Sequence, residues 1–153
     1  VGPPYDAGYS DDIRRRIEQA DGVEWPGYRE PGEMLAEFES ADFLWNFSYS
    51  EGAANAVLEA WAYGRPVLAH RAPGNTEVLE NAPGDVGMLF DDTPNGLESF
   101  IERLKIEASL SSTARAERSA HIQEYVRAHH DAADEIRDLL RAYEITLSKT
   151  QEP

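Results

Sequence analysis

Two glutamates, Glu51 and Glu59, lie eight positions apart in the stretch YSEGAANAVLEAWAYGRPVLAH, which runs from Tyr49 to His70. Carboxylates accept hydrogen bonds from the hydroxyls of sugars and riboses, and the negative charge strengthens each bond. The residues that follow Glu51 are small, so a ligand could approach the backbone closely. Eight residues of helix rise roughly 12 Å, which is about the span from a sugar, past a diphosphate, to a ribose.

The same stretch predicts an apolar helix that begins at about Glu51 and ends at Gly64, directly after a predicted strand, FLWNF, at 43–47. The first N–H groups of a helix have no partner inside it and lie at the positive end of its dipole. Those from about Gly52 to Asn55 could therefore bind a diphosphate. We expect Glu51 to contact a sugar and Glu59 to hold the two hydroxyls of a ribose.

A purely structural role for both acids is the alternative. Glu51 could stabilise the helix dipole from the first turn, and Glu59 could be a surface residue of an amphipathic helix. The neighbours of Glu59 favour a functional role, because a lone acid in apolar surroundings is costly without a partner. These neighbours are Val57, Leu58, Ala60, Trp61 and Ala62.

Strands and helices alternate along the first 90 residues. The predicted strands are VEW at 23–25, FLWNF at 43–47, PVLAH at 66–70 and VGMLF at 86–90. Such alternation predicts an α/β fold, a Rossmann-like three-layer α/β/α arrangement with a mainly parallel sheet. In such sheets ligands bind at the carboxyl ends of the strands. His70, at the end of PVLAH, could reach a sugar or phosphate there, or be only a polar residue that ends a strand.

The helices between these strands have recognisable boundaries. Ser10 is a candidate N-cap for a helix that ends at Gly22, and Pro31 suits a first helical position. A turn at 73–75 precedes a short helical segment at 77–79. From Pro94 a helical C-terminal extension is predicted, with helices near 97–104, 113–130 and 132–147. The three tryptophans, Trp25, Trp45 and Trp61, are predicted to lie in the core.

Composition excludes several classes of function. The 153 residues include 29 acidic and 14 basic side chains, a net charge of −15. Such a surface repels nucleic-acid backbones, so we expect no nucleic-acid partner. No apolar run approaches the roughly 20 residues of a membrane span. There is no cysteine, and the histidines at 121, 129 and 130 do not form a metal-binding pattern, so no metal site is predicted.

Several motifs together resemble one enzyme family. SEGAANAVLEAWAYGRPVLA combines two glutamates separated by seven residues with a following Gly-x-Pro-Val strand. PGNTEVL and GMLF follow in order. This combination resembles the C-terminal domain of family-four retaining glycosyltransferases, which have the two-domain B fold (GT-B). Together with VGP at the start, it is most similar to the glycosyltransferase 1 domain-containing branch.

The resemblance implies roles for the residues of the predicted helix. Glu51 matches the first family glutamate, near the donor sugar, and is the candidate catalytic residue. Glu59 matches the second, which holds the nucleotide ribose. The backbone amides of Gly52, Ala53 and Ala54 match the diphosphate cradle, although Ala54 replaces the usual second glycine.

Further donor-binding residues are implied on two loops. Gly27, Tyr28 and Arg29 lie where such enzymes bind the base, and Gly74 and Asn75 lie at the loop that faces the sugar. The donor would be a nucleoside-diphosphate sugar, and transfer in this family retains anomeric configuration without a metal or other cofactor.

The family's first βα unit, with its basic pair, and the N-terminal acceptor-binding domain would precede Val1. We therefore interpret residues 1–147 as the nucleotide-sugar-binding half of a larger enzyme, inactive alone, and 148–153 as a frayed tail. The intact enzyme is expected to be cytoplasmic or peripheral to a membrane. The alternative is a non-catalytic nucleotide-sugar-binding or interaction module.

Overall fold

The structure, a computed structural model, describes residues 7–50, 54–131 and 133–134. The chain divides into two compact units, Val1–Ser40 and Ala41–Pro153, and each is described by itself. The predicted start of the chain, nearly all of the predicted helix at 132–147 and the predicted tail at 148–153 lie outside the described residues. The predicted domain boundaries therefore stay predictions.

The first unit contains two helices, α1 (Ala7–Glu18) and α2 (Pro31–Ser40). Pro31 occupies the first helical position, as predicted. The Glu33 carboxylate accepts a hydrogen bond of 2.9 Å from the Glu30 N–H, which satisfies one of the donors that a helix N-terminus leaves without a partner. The N-terminus of α2 is thus capped by a residue of its own first turn.

Two predictions for the first unit are wrong. Ser10 is not an N-cap, because α1 already begins at Ala7 and Ser10 is buried within its first turn. Residues 23–25 form no strand but belong to the loop between α1 and α2. A strand requires a hydrogen-bonded neighbour, and no described residue pairs with this segment; Trp25 instead lies under the Arg14 guanidinium, 5.0 Å from ring to cation.

The second unit is built on a parallel sheet of three strands, counting the described residues. β1 (Leu44–Asn46), β2 (Val67–His70) and β3 (Gly87–Phe90) lie side by side in chain order. Leu44 is opposite Val67, which in turn is opposite Gly87. The predicted α/β fold class with a parallel sheet is therefore confirmed.

Four helices belong to the second unit: α3 (Asn55–Ala62), α4 (Pro73–Leu79), α5 (Pro94–Ser109) and α6 (Ser112–His129). Hydroxyls of Thr93 and Ser111 cap α5 and α6 by accepting from N–H groups three residues on. α4 begins at Pro73 rather than after a turn at 73–75, since proline is well suited to a first helical position. The helical C-terminal extension is confirmed through α6. Over the described part of the chain, no helix has both the length and the apolar character that a membrane crossing requires.

The core of the second unit is formed by Leu68, Phe90 and Phe100. Trp61 is fully buried, as predicted, and its indole N–H donates to the Val86 carbonyl at 3.1 Å. Trp45 is not a core residue, because 52% of its surface is exposed. The prediction that Trp45 lies in the core is therefore wrong.

The end of α3 is fixed by Gly64, which adopts a left-handed conformation with φ of +69°. The Gly64 N–H donates to the Trp61 carbonyl at 2.9 Å, and the Arg65 N–H donates to the Ala60 carbonyl at 2.8 Å. This pair of bonds is a Schellman motif. α6 passes so close that a Cβ on Gly64 would lie 2.7 Å from the Ser119 carbonyl oxygen and closer still to its hydroxyl.

We expect Gly64→Ala to lower the free energy of unfolding by about 2–4 kcal/mol, because a left-handed alanine and an overpacked helix contact are both unfavourable. Urea denaturation measures this loss. Gly84→Ala is the matched control, since nothing lies within 4 Å of a Cβ there and its φ is not positive. Equal stability changes in the two variants would contradict the close approach of α6 to Gly64.

One buried carboxylate joins α5 to α6. The Glu107 side chain is 1% exposed and lies between two arginines, Arg103 on its own helix and Arg118 on α6. Arg103 Nε donates to Oε1 at 2.7 Å, Arg118 Nη1 donates to Oε1 at 2.8 Å, and Arg118 Nη2 donates to Oε2. We call these three residues the Glu107 cluster. It links α5 to α6 through one carboxylate shared by two arginines.

Candidate functional site

The carboxyl ends of the three parallel strands meet at one edge of the sheet. β1 ends at Asn46, β2 at His70 and β3 at Phe90. Asn46 is opposite Ala69, and His70 is opposite Phe90, so the three strand ends are level. α3 follows β1, and α4 begins at Pro73, directly after β2. This carboxyl edge is where ligands bind in parallel α/β sheets.

Among the described residues, no side chain caps the N-terminus of α3. Its N-cap is Ala54, which cannot accept a hydrogen bond through its side chain. The Val57 and Leu58 N–H groups both donate to the Ala54 carbonyl, so the helical bonds start there. The N–H groups of Asn55 and Ala56 precede these bonds and lie at the positive end of the helix dipole. This arrangement suits an anionic ligand.

The helix begins four residues later than the sequence predicts, because Asn55 is its first residue. Glu51, Gly52 and Ala53 lie outside the described residues, so their assigned roles stay predictions. The argument that one continuous helix separates the two glutamates by roughly 12 Å does not hold. The part of α3 between Asn55 and Glu59 rises only about 6 Å.

Glu59 lies on the exposed face of α3, one turn from Asn55, which is also exposed. Val57, Ala60 and Trp61 are buried on the opposite face. The inference that apolar neighbours make Glu59 a buried acid in need of a partner is therefore wrong, because neighbours in sequence lie on different faces of a helix. Its side chain is exposed on the same helix face as Asn55, and its role as the ribose ligand stays a prediction.

A closed ring of hydrogen bonds ties the ends of β1 and β2 to α4. Asn75 Nδ2 donates to the His70 carbonyl at 3.0 Å, and Asn46 Nδ2 donates to Asn75 Oδ1 at 3.4 Å. The Ser48 N–H donates to Asn46 Oδ1 at 2.9 Å, and His70 Nδ1 lies 3.3 Å from the Ser48 carbonyl oxygen. We call Asn46, Ser48, His70 and Asn75 the carboxyl-edge ring.

The His70 side chain is surrounded by aromatic rings. Phe47 stacks on it at 6.5 Å between centroids, and Tyr49 and Phe90 contact it edge-on at 4.8 and 5.9 Å. Only 9% of His70 is exposed. Arg71, the next residue, pairs with Asp91 at 3.3 Å and so brings little unmatched positive charge.

The loop residues predicted from the resemblance are distributed over both units. Gly74 and Asn75 are buried in the first turn of α4, and Asn75 is fully inaccessible. Gly27 adopts a φ of +81° beside a pocket of about 270 Å³ in the first unit. Tyr28 is exposed, and Arg29 pairs with Glu37 at 3.1 Å. No contact with a base or a sugar follows from these positions, and the assignments stay predictions.

Two members of the carboxyl-edge ring, Asn46 and Ser48, were not identified from the sequence. The signal for them is the change from apolar to polar residues within FLWNFSYS, where a strand ends. Their hydrogen bonds to His70 and Asn75 span more than 20 positions of the chain. Sequence spacing alone does not reveal such partners.

The described residues contain no group of three or more potential metal ligands. His121 instead lies 2.7 Å from the Asp85 carboxylate at an exposed position. His129 is also exposed, at the end of α6. Both side chains therefore lie on the surface of α6.

Comparison with known proteins places this geometry in a family context. Residues 1–105 match the family described as glycosyl transferases group 1. The chain is 29% identical over 130 residues to glycosyltransferase 1 domain-containing protein 1 of Xenopus tropicalis, an alignment covering 85% of this chain and 36% of that protein. The chain thus spans about a third of the length of this curated relative.

A solved structure shows the same fold. The catalytic domain of starch synthase IV from Arabidopsis thaliana, bound to ADP and acarbose, superposes with a TM-score of 0.58. The match covers 76% of this chain and 25% of that chain, at 14% identity. At this identity the likeness concerns the fold alone, which resembles that of the GT-B glycosyltransferases.

Proposed function

Because the chain belongs to the glycosyl transferases group 1 family, we propose that it is a donor-binding domain for a nucleoside-diphosphate sugar. We assign it to the family-four retaining enzymes on the motifs around Glu51 and Glu59. The observation that carries the proposal is the N-terminus of α3 at the carboxyl edge, which no described side chain caps, with the exposed Glu59 one turn further on. The same face of α3 thus offers N–H groups for an anion and a carboxylate for hydroxyls.

In this proposal the diphosphate lies against the first N–H groups of α3. The helix dipole and the N–H donors at Asn55 and Ala56 offset the negative charge of the ligand. Such local help is necessary because the net charge of the chain is −15. The Glu59 carboxylate accepts hydrogen bonds from the two ribose hydroxyls, which a charged acceptor binds more strongly than a neutral one.

The sugar would then lie beyond the diphosphate, toward Glu51 and His70. Glu51 is the proposed catalytic residue, whose carboxylate stabilises positive charge as the glycosyl bond breaks. His70 offers a ring nitrogen at the end of β2. ADP is bound in the starch synthase IV structure, which supports a nucleoside diphosphate as the shared ligand class and leaves the base and sugar of this donor open.

We expect the 153-residue chain to bind nucleoside diphosphates and to transfer no sugar on its own. Transfer requires donor and acceptor to be held in register, and we propose that the acceptor is held by further parts of a longer protein. Calorimetric titration with ADP, UDP and GDP tests binding, and incubation with labelled nucleotide sugars and acceptors tests transfer. Turnover above a heat-inactivated blank would contradict the second expectation.

The non-catalytic binding module is the second candidate. It uses the same donor contacts at the N-terminus of α3 but carries out no transfer. A longer protein that contains this chain distinguishes the two. If the longer protein binds a nucleotide sugar but neither hydrolyses it nor transfers its sugar to any acceptor tested, the chain is a binding module and the enzyme proposal fails.

A further inference from the structure

The donors and acceptors of the carboxyl-edge ring determine how each side-chain amide in it is oriented. A backbone carbonyl only accepts, so the nitrogen of the Asn75 amide must face the His70 carbonyl, and its oxygen must face Asn46. A backbone N–H only donates, so the oxygen of the Asn46 amide must face Ser48. Each amide therefore has one allowed orientation.

The last hydrogen bond of the carboxyl-edge ring determines which nitrogen of His70 carries the proton. The Ser48 carbonyl oxygen is an acceptor, so His70 Nδ1 must carry the proton across the 3.3 Å that separates them. The neutral imidazole has one proton, and Nε2 is then an acceptor. Within the described part of the chain, Nε2 makes no hydrogen bond beside this one.

We propose that Asn75 is a positioning residue, which acts through the carboxyl-edge ring to hold His70 in the Nδ1–H tautomer and present Nε2 as an acceptor for a hydroxyl of the donor sugar. This inference rests on the proposed donor site. The chemistry is specific, because an unprotonated Nε2 pairs with a hydroxyl proton and does not donate to a phosphate oxygen. Asn75 itself is fully buried and has both ends of its amide engaged.

The aromatic enclosure supports this assignment. Phe47 and Phe90 offer no hydrogen bond to the imidazole, and Tyr49 contacts it through its ring. The orientation of His70 is thus decided by the ring of hydrogen bonds and by stacking. Free histidine in water prefers the other tautomer, with the proton on Nε2, so the tautomer reports directly on whether the ring exists.

Long-range proton–nitrogen NMR correlation of the ¹⁵N-labelled chain tests the inference at about pH 8.5, where an ordinary histidine is neutral. His70→Gln assigns the His70 signals. We expect a protonated Nδ1 and an unprotonated Nε2 in the unaltered chain. In Asn75→Ala and Asn46→Ala we expect this signature to be lost, with the Nε2–H tautomer becoming the major form.

Gln123→Ala is the matched control, because it removes a side-chain amide that donates to the Ala62 carbonyl at 3.2 Å, outside the ring. It should leave the His70 signals unchanged. A merely structural Asn75 would lower the melting temperature and leave the tautomer as it is, which overturns the inference. An Nε2–H tautomer in the unaltered chain overturns it as well, and that result needs no variant to fold.

Ligand binding provides an independent readout. Titration with ADP-glucose, UDP-glucose and GDP-mannose should move the His70 Nε2 signal, while ADP, UDP and GDP should not. The Nδ1–H tautomer could be found while none of these six compounds binds. That result would end the proposed function and leave the positioning role of Asn75 intact. A shift of the His70 Nε2 signal on titration with ADP, UDP or GDP would overturn the assignment to a sugar hydroxyl.

Discussion

Replacement of Glu107 by alanine should lower the free energy of unfolding by about 3–5 kcal/mol, the cost of removing one partner from a buried ion pair. The carboxylate is 1% exposed, and the side chains of Arg103 and Arg118 are 18% and 12% exposed. Without it, two guanidinium groups stay largely buried and lose the carboxylate that pairs with both of them. Alanine is the best helix former, so the loss reports on the ion pairs and not on helix propensity.

Glu102→Ala is the matched control for this variant. Glu102 lies on the same helix and pairs with Lys105 at 2.6 Å, but both side chains are more than 60% exposed. Exposed pairs of this kind contribute about 0–1 kcal/mol. Urea denaturation of the two variants compares a buried and a surface acid directly. Similar small changes in both would show that the Glu107 cluster does not hold α5 and α6 together.

Substitution of Glu59 by glutamine should weaken the binding of a nucleoside diphosphate about 30-fold. A hydrogen bond to a charged group contributes about 1 kcal/mol more than one between neutral groups. Two ribose hydroxyls would therefore lose about 2 kcal/mol together, which corresponds to that ratio. Glutamine keeps the shape of the side chain, and the position is exposed, so the fold should keep its stability.

Calorimetric titration with the nucleoside diphosphate and with the full nucleotide sugar measures this loss, which should be equal for the two ligands. Glu117→Gln removes the same charge from an exposed acid on α6, a helix that approaches Gly64 just beyond the C-terminus of α3, opposite the proposed diphosphate site, and should change neither affinity. Glu51→Gln should leave nucleoside diphosphate affinity nearly unchanged, because we assign it to the sugar. Unaltered affinity of Glu59→Gln for both ligands would end the ribose assignment.

Much of the fold could be predicted from local patterns. Strands PVLAH and VGMLF lie where the sequence places them, within one residue, because a short apolar run bounded by turn residues has few alternatives. Pro31 and Pro94 mark helix starts, since proline fits the first helical position. Parallel pairing then follows from the connections, which are too long for hairpins.

The failures have a common physical origin in tertiary context. Residues 23–25 have strand composition but no described strand beside them. Ser10 is a good N-cap residue, yet the helix continues past it toward the N-terminus, and the residue becomes buried. Trp45 is large and apolar, and its burial depends on what covers the outer strand β1, which composition does not reveal.

The candidate site was predictable in its parts and not in its connections. The motif located α3 and the end of β2, and hence Glu59, His70 and Asn75, although α3 begins later and α4 earlier than the sequence predicts. It left open whether Glu59 is buried or exposed, because apolar sequence neighbours lie on different faces of a helix, about 100° apart. Nor did it reveal that the Asn75 side chain faces inward to Asn46, since that bond joins residues 29 positions apart.

The central claim, that the N-terminus of α3 binds the diphosphate of a nucleotide sugar, is tested most directly by backbone NMR. The ¹⁵N-labelled chain is titrated with ADP, UDP and GDP up to millimolar concentration, and the amide shifts are followed residue by residue. We expect at least one of the three to give saturable shifts that are largest at the amides of 54–56, with smaller ones near Glu59. Absence of saturable shifts with all three, or shifts confined to α6, would contradict the claim.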